Sequence, residues 1–98
     1  MQLLGYVQSA AAMLRSGGRP GDAVFVSGTP GDAAAGLELV RAARRASDPP
    51  HAAYLRERFL FPTPRVELGA KLAAFASACI DVSDGLLGDA GKLALASG

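Results

Sequence analysis

Ala78-Cys79-Ile80-Asp81-Val82-Ser83-Asp84-Gly85-Leu86 passes from apolar to polar and back to apolar. The apolar run 75–80 predicts a buried element, with a short strand over 78–82. The stretch 86–95 predicts a helix, because Leu86, Ala90 and Leu93 recur on one face. Between the two elements, two carboxylates flank one hydroxyl. A polar loop at a helix N-terminus offers free backbone N–H groups and the positive end of the helix dipole. Carboxylate oxygens suit Mg²⁺, the usual counterion of a transferred phosphate. A capped helix carrying two surface aspartates fits the same residues, and the motif alone leaves both readings open.

Outward from this stretch, the chain alternates short apolar segments with helical patterns. Thr63 and Pro64 fit an N-cap and a first helical residue, and Leu68, Leu72 and Phe75 share a face of a helix running to about residue 76. Arg65 falls in its first turn, as a structural residue or as a phosphate contact. Residues 51–60 predict a second helix with Ala53, Leu55 and Phe59 as its apolar contacts. His51 has no second ligand near it in sequence, so no metal or catalytic role is assigned to it. Residues 32–46 predict a third helix, with Asp32 as N-cap and Ala33, Leu37 and Val40 on its apolar side. Its other face carries Glu38, Arg41, Arg44 and Arg45, and Ser47-Asp48-Pro49-Pro50 ends it. Residues 23–27, with Val24, Phe25 and Val26, predict a buried strand. Residues 16–22 form a turn, and 3–7 a further short strand. This order gives an α+β (mixed α/β) class. Two core strands are too few for a sheet of their own, so the remaining strands are expected outside these residues.

With 98 residues, the chain suits one small domain or part of a larger one. Half of it is hydrophobic, but six aromatics and no Trp leave a core of small side chains. A net charge of +1 gives no field that argues for nucleic acid. Arg41, Arg44 and Arg45 lack interleaved aromatics and fit a solvated helix face. The single Cys79 cannot form an internal disulfide and is compatible with the cytosol. The longest apolar stretch, 72–80, is about half of the roughly 20 residues a spanning helix needs. No signal peptide is evident. Gly28, Gly31 and Gly36 lack the Gly-Lys-Ser/Thr ending of a Walker loop, so that nucleotide site is rejected.

Four blocks in order carry a resemblance. They are Leu14-Arg15-Ser16-Gly17-Gly18, then Gly21-Asp22-Ala23-Val24-Phe25-Val26-Ser27-Gly28-Thr29-Pro30-Gly31-Asp32-Ala33-Ala34-Ala35-Gly36-Leu37, Pro62-Thr63-Pro64-Arg65-Val66, and Ile80-Asp81-Val82-Ser83-Asp84-Gly85-Leu86. Together they resemble the thiamine-monophosphate kinases. The Asp-Val-Ser-Asp-Gly pattern is shared with the wider aminoimidazole-ribotide synthetase-like superfamily, and the Gly-Thr-Pro-Gly-Asp block points to the kinase branch. The resemblance covers roughly the middle third of a family member. It implies that residues 1–19 are the tail of an N-terminal synthetase-like domain. Residues 20–98 would then be the first half of a C-terminal domain, a partial two-layer arrangement of sheet and helices. It further implies a cytoplasmic homodimer that transfers the γ-phosphoryl of ATP to thiamine monophosphate, assisted by Mg²⁺ ions and a monovalent ion.

Carried over by position, Asp81 and Asp84 match Mg²⁺ ligands, while Ser83 and Arg15 match contacts to ATP. An Arg suits phosphate because its guanidinium forks onto two oxygens and stays charged. The family's acidic metal motifs and its thiamine-holding residues have no counterpart here, and Ala10-Ala11-Ala12-Met13 replaces the expected Gly-Arg/Lys pattern. Met1 thus fits a start inside a longer protein or a truncated gene. Two other readings stay open. The generic Asp-Val-Ser-Asp-Gly pattern suits another ATP-dependent synthetase, such as a selenophosphate-synthetase-like one. The missing half of the site suits a non-catalytic remnant or interaction domain using the basic helix 32–46.

Overall fold

A computed structural model describes residues 2, 4–8, 12–42 and 48–98. Among the described residues there are four helices: α1 (Asp32–Arg41), α2 (Ala52–Leu60), α3 (Val66–Leu72) and α4 (Leu86–Ser97). The chain divides into two compact units. One joins Met1–Val24 to Arg65–Gly98, and the other is Phe25–Pro64.

In the unit Phe25–Pro64, α1 packs against α2. The contact is made by the absence of a side chain. Gly36 is the buried residue of α1, and a Cβ placed on it would lie 2.0 Å from the Leu55 carbonyl oxygen. On α2 the buried residue is Ala52, at 3% exposure, with Leu55 and Phe59 half-buried. The apolar face is therefore 52/55/59 rather than the 53/55/59 expected from sequence, since Ala53 is exposed. Arg56 forks onto Asp48, with Nη1 to Oδ2 at 2.6 Å and Nη2 to Oδ1 at 3.0 Å. That fork ties the segment before α2 to the helix, and it raises the Arg56 pKa through the Asp48 hydrogen bond. Arg41 pairs with Glu38 on an exposed face, as expected of a solvated stripe. The rest of the expected helix, including Arg44 and Arg45, lies outside the described residues.

The N-cap of α1 is Gly31, in a left-handed conformation, and not Asp32. Asp32 is the first helical residue. Its Oδ2 accepts from the Thr29 hydroxyl and, at 2.8 Å, from the Tyr54 hydroxyl of α2. These donors, Thr29 first, hold its carboxyl below the ordinary value. The carboxylate thus fastens the glycine-rich loop and α2 to the start of α1. A capping aspartate instead accepts from the N–H of N2 or N3.

In the other unit, α3 begins later and ends earlier than its sequence pattern suggests. Arg65 is its N-cap, and turn bonds from Ala74, Phe75 and Ala76 back to Lys71 and Leu72 close it. Its expected apolar face is open, with Leu68 38% and Phe75 76% exposed.

The expected sheet does not form among the described residues. Val24 and Phe25 are 84% and 89% exposed, so 23–27 is not a buried strand. Leu4, Tyr6 and Val7 are exposed too. For 78–82, one backbone bond, Cys79 N–H to the Leu14 carbonyl at 2.9 Å, replaces a ladder. The physical reason is that a strand is defined by its neighbour: β-propensity needs a partner's backbone and an opposing layer to act on. The α+β expectation is thus met by its helices and not by its sheet. No helix among the described residues is long and apolar enough to cross a membrane.

Candidate functional site

The bond from the Cys79 N–H to the Leu14 carbonyl joins two segments of the site. It brings the segment before Arg15 alongside the segment before Asp81. A cavity of about 500 Å³ opens there, with Arg15, Asp81, Ser83, Asp89 and Lys92 on its polar side. Met13, Leu14, Cys79 and Ile80 supply its apolar side. Three of the four residues singled out in the sequence, Arg15, Asp81 and Ser83, thus line one space. Asp84 does not line it. Its side chain is 71% exposed and pairs with Lys92 at 2.5 Å.

α4 holds both walls of this cavity. At its C-terminal end, the Ser97 hydroxyl donates to the Arg15 carbonyl at 3.1 Å and accepts the Gly18 N–H at 3.1 Å. The turn that carries Arg15 is thereby clasped to the helix. At the N-terminal end, Gly85 is the N-cap with φ 125°, a conformation that L side chains rarely adopt. One turn further along, the Asp89 carboxylate points back under the loop. Its Oδ2 accepts the N–H groups of Ser83 at 2.9 Å, Asp84 at 2.9 Å and Gly85 at 3.2 Å. Its Oδ1 accepts from Lys92 at 2.8 Å.

This arrangement corrects one expectation. The loop N–H groups of 83–85 are not free to receive an anion, because Asp89 uses all three. The donors left on the cavity's polar side are the Arg15 guanidinium and the Ser83 hydroxyl, since the Lys92 ammonium is taken up by Asp84 and Asp89. The Lys92 hydrogen bond, followed by the loop amides, holds the Asp89 carboxyl down to about 2. Asp84 and then Asp89 push the Lys92 ammonium up to about 12. Both groups are charged throughout the neutral range.

Asp89 and Lys92 carry no mark in the sequence reading. The available signal was position: Asp89, Leu93 and Ser97 recur every four residues, so a carboxylate sits on the inward stripe of a helix. A charge there requires partners, and a loop of unpaired N–H groups lies within reach.

Asp22 lies in the same unit and serves a structural purpose. Its Oδ2 accepts from the Ser77 hydroxyl at 2.7 Å and the Arg19 N–H at 3.0 Å. Among the described residues, no group of three or more His, Cys, Asp or Glu is arranged to hold a metal. Asp81 lines the cavity and Asp84 lies outside it, so the two carboxylates expected from the sequence to share a cation are not gathered on one space. The Asp84 carboxylate already holds one positive group, the Lys92 ammonium.

No family model matches the chain. Comparison with curated proteins gives a consistent answer. The chain is 48% identical over 94 residues to the thiamine-monophosphate kinase of Salmonella typhimurium, a match covering 96% of this chain and 29% of that protein. It is 45% identical over 84 residues to the thiamine-monophosphate kinase of Aquifex aeolicus, covering 86% of this chain and 27% of the relative. Among solved structures, the thiamine-monophosphate kinase of Stenotrophomonas maltophilia K279a superposes with a TM-score of 0.83 at 45% identity. That match covers 93% of this chain and 30% of the other. The chain thus spans less than a third of the length of the curated relatives it matches.

Proposed function

We infer that this chain belongs to the thiamine-monophosphate kinase family and is the nucleotide-facing segment of such a kinase. The observation that carries the reading is the match itself, 48% identity across 96% of the chain. The substrates are ATP and thiamine monophosphate, and the product is thiamine diphosphate. The terminal phosphate oxygen of the acceptor bonds to the γ-phosphorus as the bond to the β-bridging oxygen breaks, and ADP leaves.

The protein has little covalent work in this reaction; position and charge decide it. Arg15 forks onto phosphate oxygens from the turn clasped by Ser97. Ser83 donates its hydroxyl to the nucleotide. Asp81 and Asp84 would hold Mg²⁺, which would neutralise charge on the phosphates. The Arg15, Asp81 and Ser83 side chains gathered around one cavity support these roles.

Residues 1–19 belong, on this reading, to the end of an N-terminal domain, and 20–98 to the first half of a C-terminal α+β domain. Segments 23–27 and 78–82 become strands once the rest of that domain supplies their neighbours. The exposed Val24 and Phe25 support this, since they present apolar surface for a neighbour to cover. The complete enzyme is a cytoplasmic homodimer. The test is mass-spectrometric detection of thiamine diphosphate from full-length protein given ATP, Mg²⁺ and thiamine monophosphate. Product from another acceptor, with none from thiamine monophosphate, overturns the substrate assignment.

A further inference from the structure

Asp89 is buried to 1% exposure, yet it is a charged group next to a site rather than in its mouth. Its two oxygens have separate tasks. Oδ2 gathers three successive loop N–H groups, those of Ser83, Asp84 and Gly85. Oδ1 receives Lys92, whose ammonium also reaches Asp84 Oδ2 at 2.5 Å. One carboxylate therefore fixes the backbone that carries Ser83 and Asp84. Through Lys92 it also fixes where the Asp84 side chain lies. Charge-assisted bonds of this kind are short and directional, which suits a loop that must hold its shape under an incoming phosphate.

We propose that Asp89 is the positioning residue of the Ser83–Asp84 loop, holding the backbone through one oxygen and the Asp84 carboxylate, by way of Lys92, through the other. The inference rests on the roles assigned above to Ser83 and Asp84. An amide in place of the carboxylate separates the two tasks. The Asn oxygen can still accept the loop N–H groups, but its NH₂ faces the Lys92 ammonium and cannot accept from it.

The experiment uses full-length protein and three variants: Asp89→Ala, Asp89→Asn and Lys92→Met. It reads amide hydrogen exchange over 83–85, Mg·ATP affinity by calorimetry, and kcat and KM for ATP. In Asp89→Ala the three loop amides lose protection while the α4 amides of 93–97 keep theirs. Its kcat/KM for ATP falls about 10–100-fold, the usual cost of losing a group that orients a ligand. Asp89→Asn restores loop protection and KM but not kcat. Lys92→Met shares that pattern, because both release Asp84. An Asp89→Ala protein with unchanged kcat/KM and Mg·ATP affinity overturns the proposal. So does an Asp89→Asn protein with wild-type kcat, which decides the matter if the alanine variant fails to fold. Should thiamine monophosphate not be the acceptor, Mg·ATP affinity and loop exchange still judge Asp89 alone.

Discussion

Gly36→Ala should destabilise the protein although alanine is the better helix former. The new Cβ would stand 2.0 Å from the Leu55 carbonyl oxygen, 2.8 Å from its carbon and 2.9 Å from Phe59 Cβ. A carbon–oxygen contact normally sits near about 3.3 Å, so α1 and α2 must part locally by roughly 1.3 Å. The nearest atom is backbone and cannot swing aside as a side-chain tip would. Overpacking costs about 1–3 kcal/mol, and a fixed backbone obstacle puts this case at the upper end. Against that, alanine gains about 1 kcal/mol in helix propensity over glycine. The net loss is about 2 kcal/mol. For a chain of 98 residues, that lowers Tm by about 8–16 °C. Urea melts should show a lower midpoint with an unchanged slope. Gly91→Ala is the control, since an added Cβ there meets nothing within 4 Å and α4 should gain stability. A Gly36→Ala protein as stable as the wild type would refute the reasoning and mean that α1 and α2 are held apart by other contacts.

Other outcomes follow from the site and its supports. In full-length protein, Asp84→Ala should lower phosphoryl transfer about 10²–10³-fold, as loss of one electrostatic stabiliser does, measured as initial rate at saturating ATP and Mg²⁺. Asp32→Ala should instead melt earlier and turn over almost normally at low temperature, because Asp32 binds Thr29 and Tyr54. The 98-residue chain alone should yield no thiamine diphosphate, since acceptor and metal ions must be placed in line and half the expected ligands are absent from it. The Ser77 hydroxyl, then the Arg19 N–H, holds the Asp22 carboxyl below its ordinary 3.8. A lowered pKa stabilises above the unfolded value and is lost as pH falls through the folded one. Acid melts should therefore show stability declining below about pH 4, with a shallower decline in Ser77→Ala.

Helices were legible in this chain because their signals are local. The spacing of Ala33, Leu37 and Val40 in α1 and of Leu86, Ala90 and Leu93 in α4 predicts elements that the structure contains. The misplacements have physical causes. At α1, Gly31 and not Asp32 takes the cap position, because Thr29 and Tyr54 occupy the Asp32 carboxylate. On α2 the inward face is turned by one residue, since the neighbour it meets is the bare backbone of Gly36 and no sequence period records that. The strands failed for a different reason, as Val24 and Phe25 have the right side chains but no adjacent backbone to pair with. Of the site, Arg15, Asp81 and Ser83 were named from the sequence and line one cavity. Asp89 was not, because its importance comes from facing three N–H groups that only the folded loop brings together.

The stripe Asp89, Leu93, Ser97 makes α4 a spacer of fixed length. At 1.5 Å per residue, its two polar ends stand roughly 12 Å apart along the axis. Substitutions between them leave that interval intact, but a single inserted residue does not. It would turn Ser97 by about 100° and advance it about 1.5 Å, carrying the hydroxyl away from Arg15 while Asp89 kept its loop. Inserting a whole turn would restore the angle but leave a gap of about 5.4 Å that the Arg15–Gly18 turn cannot follow. The segment between Gly85 and Gly98 should therefore accept changes of letter far more readily than changes of length.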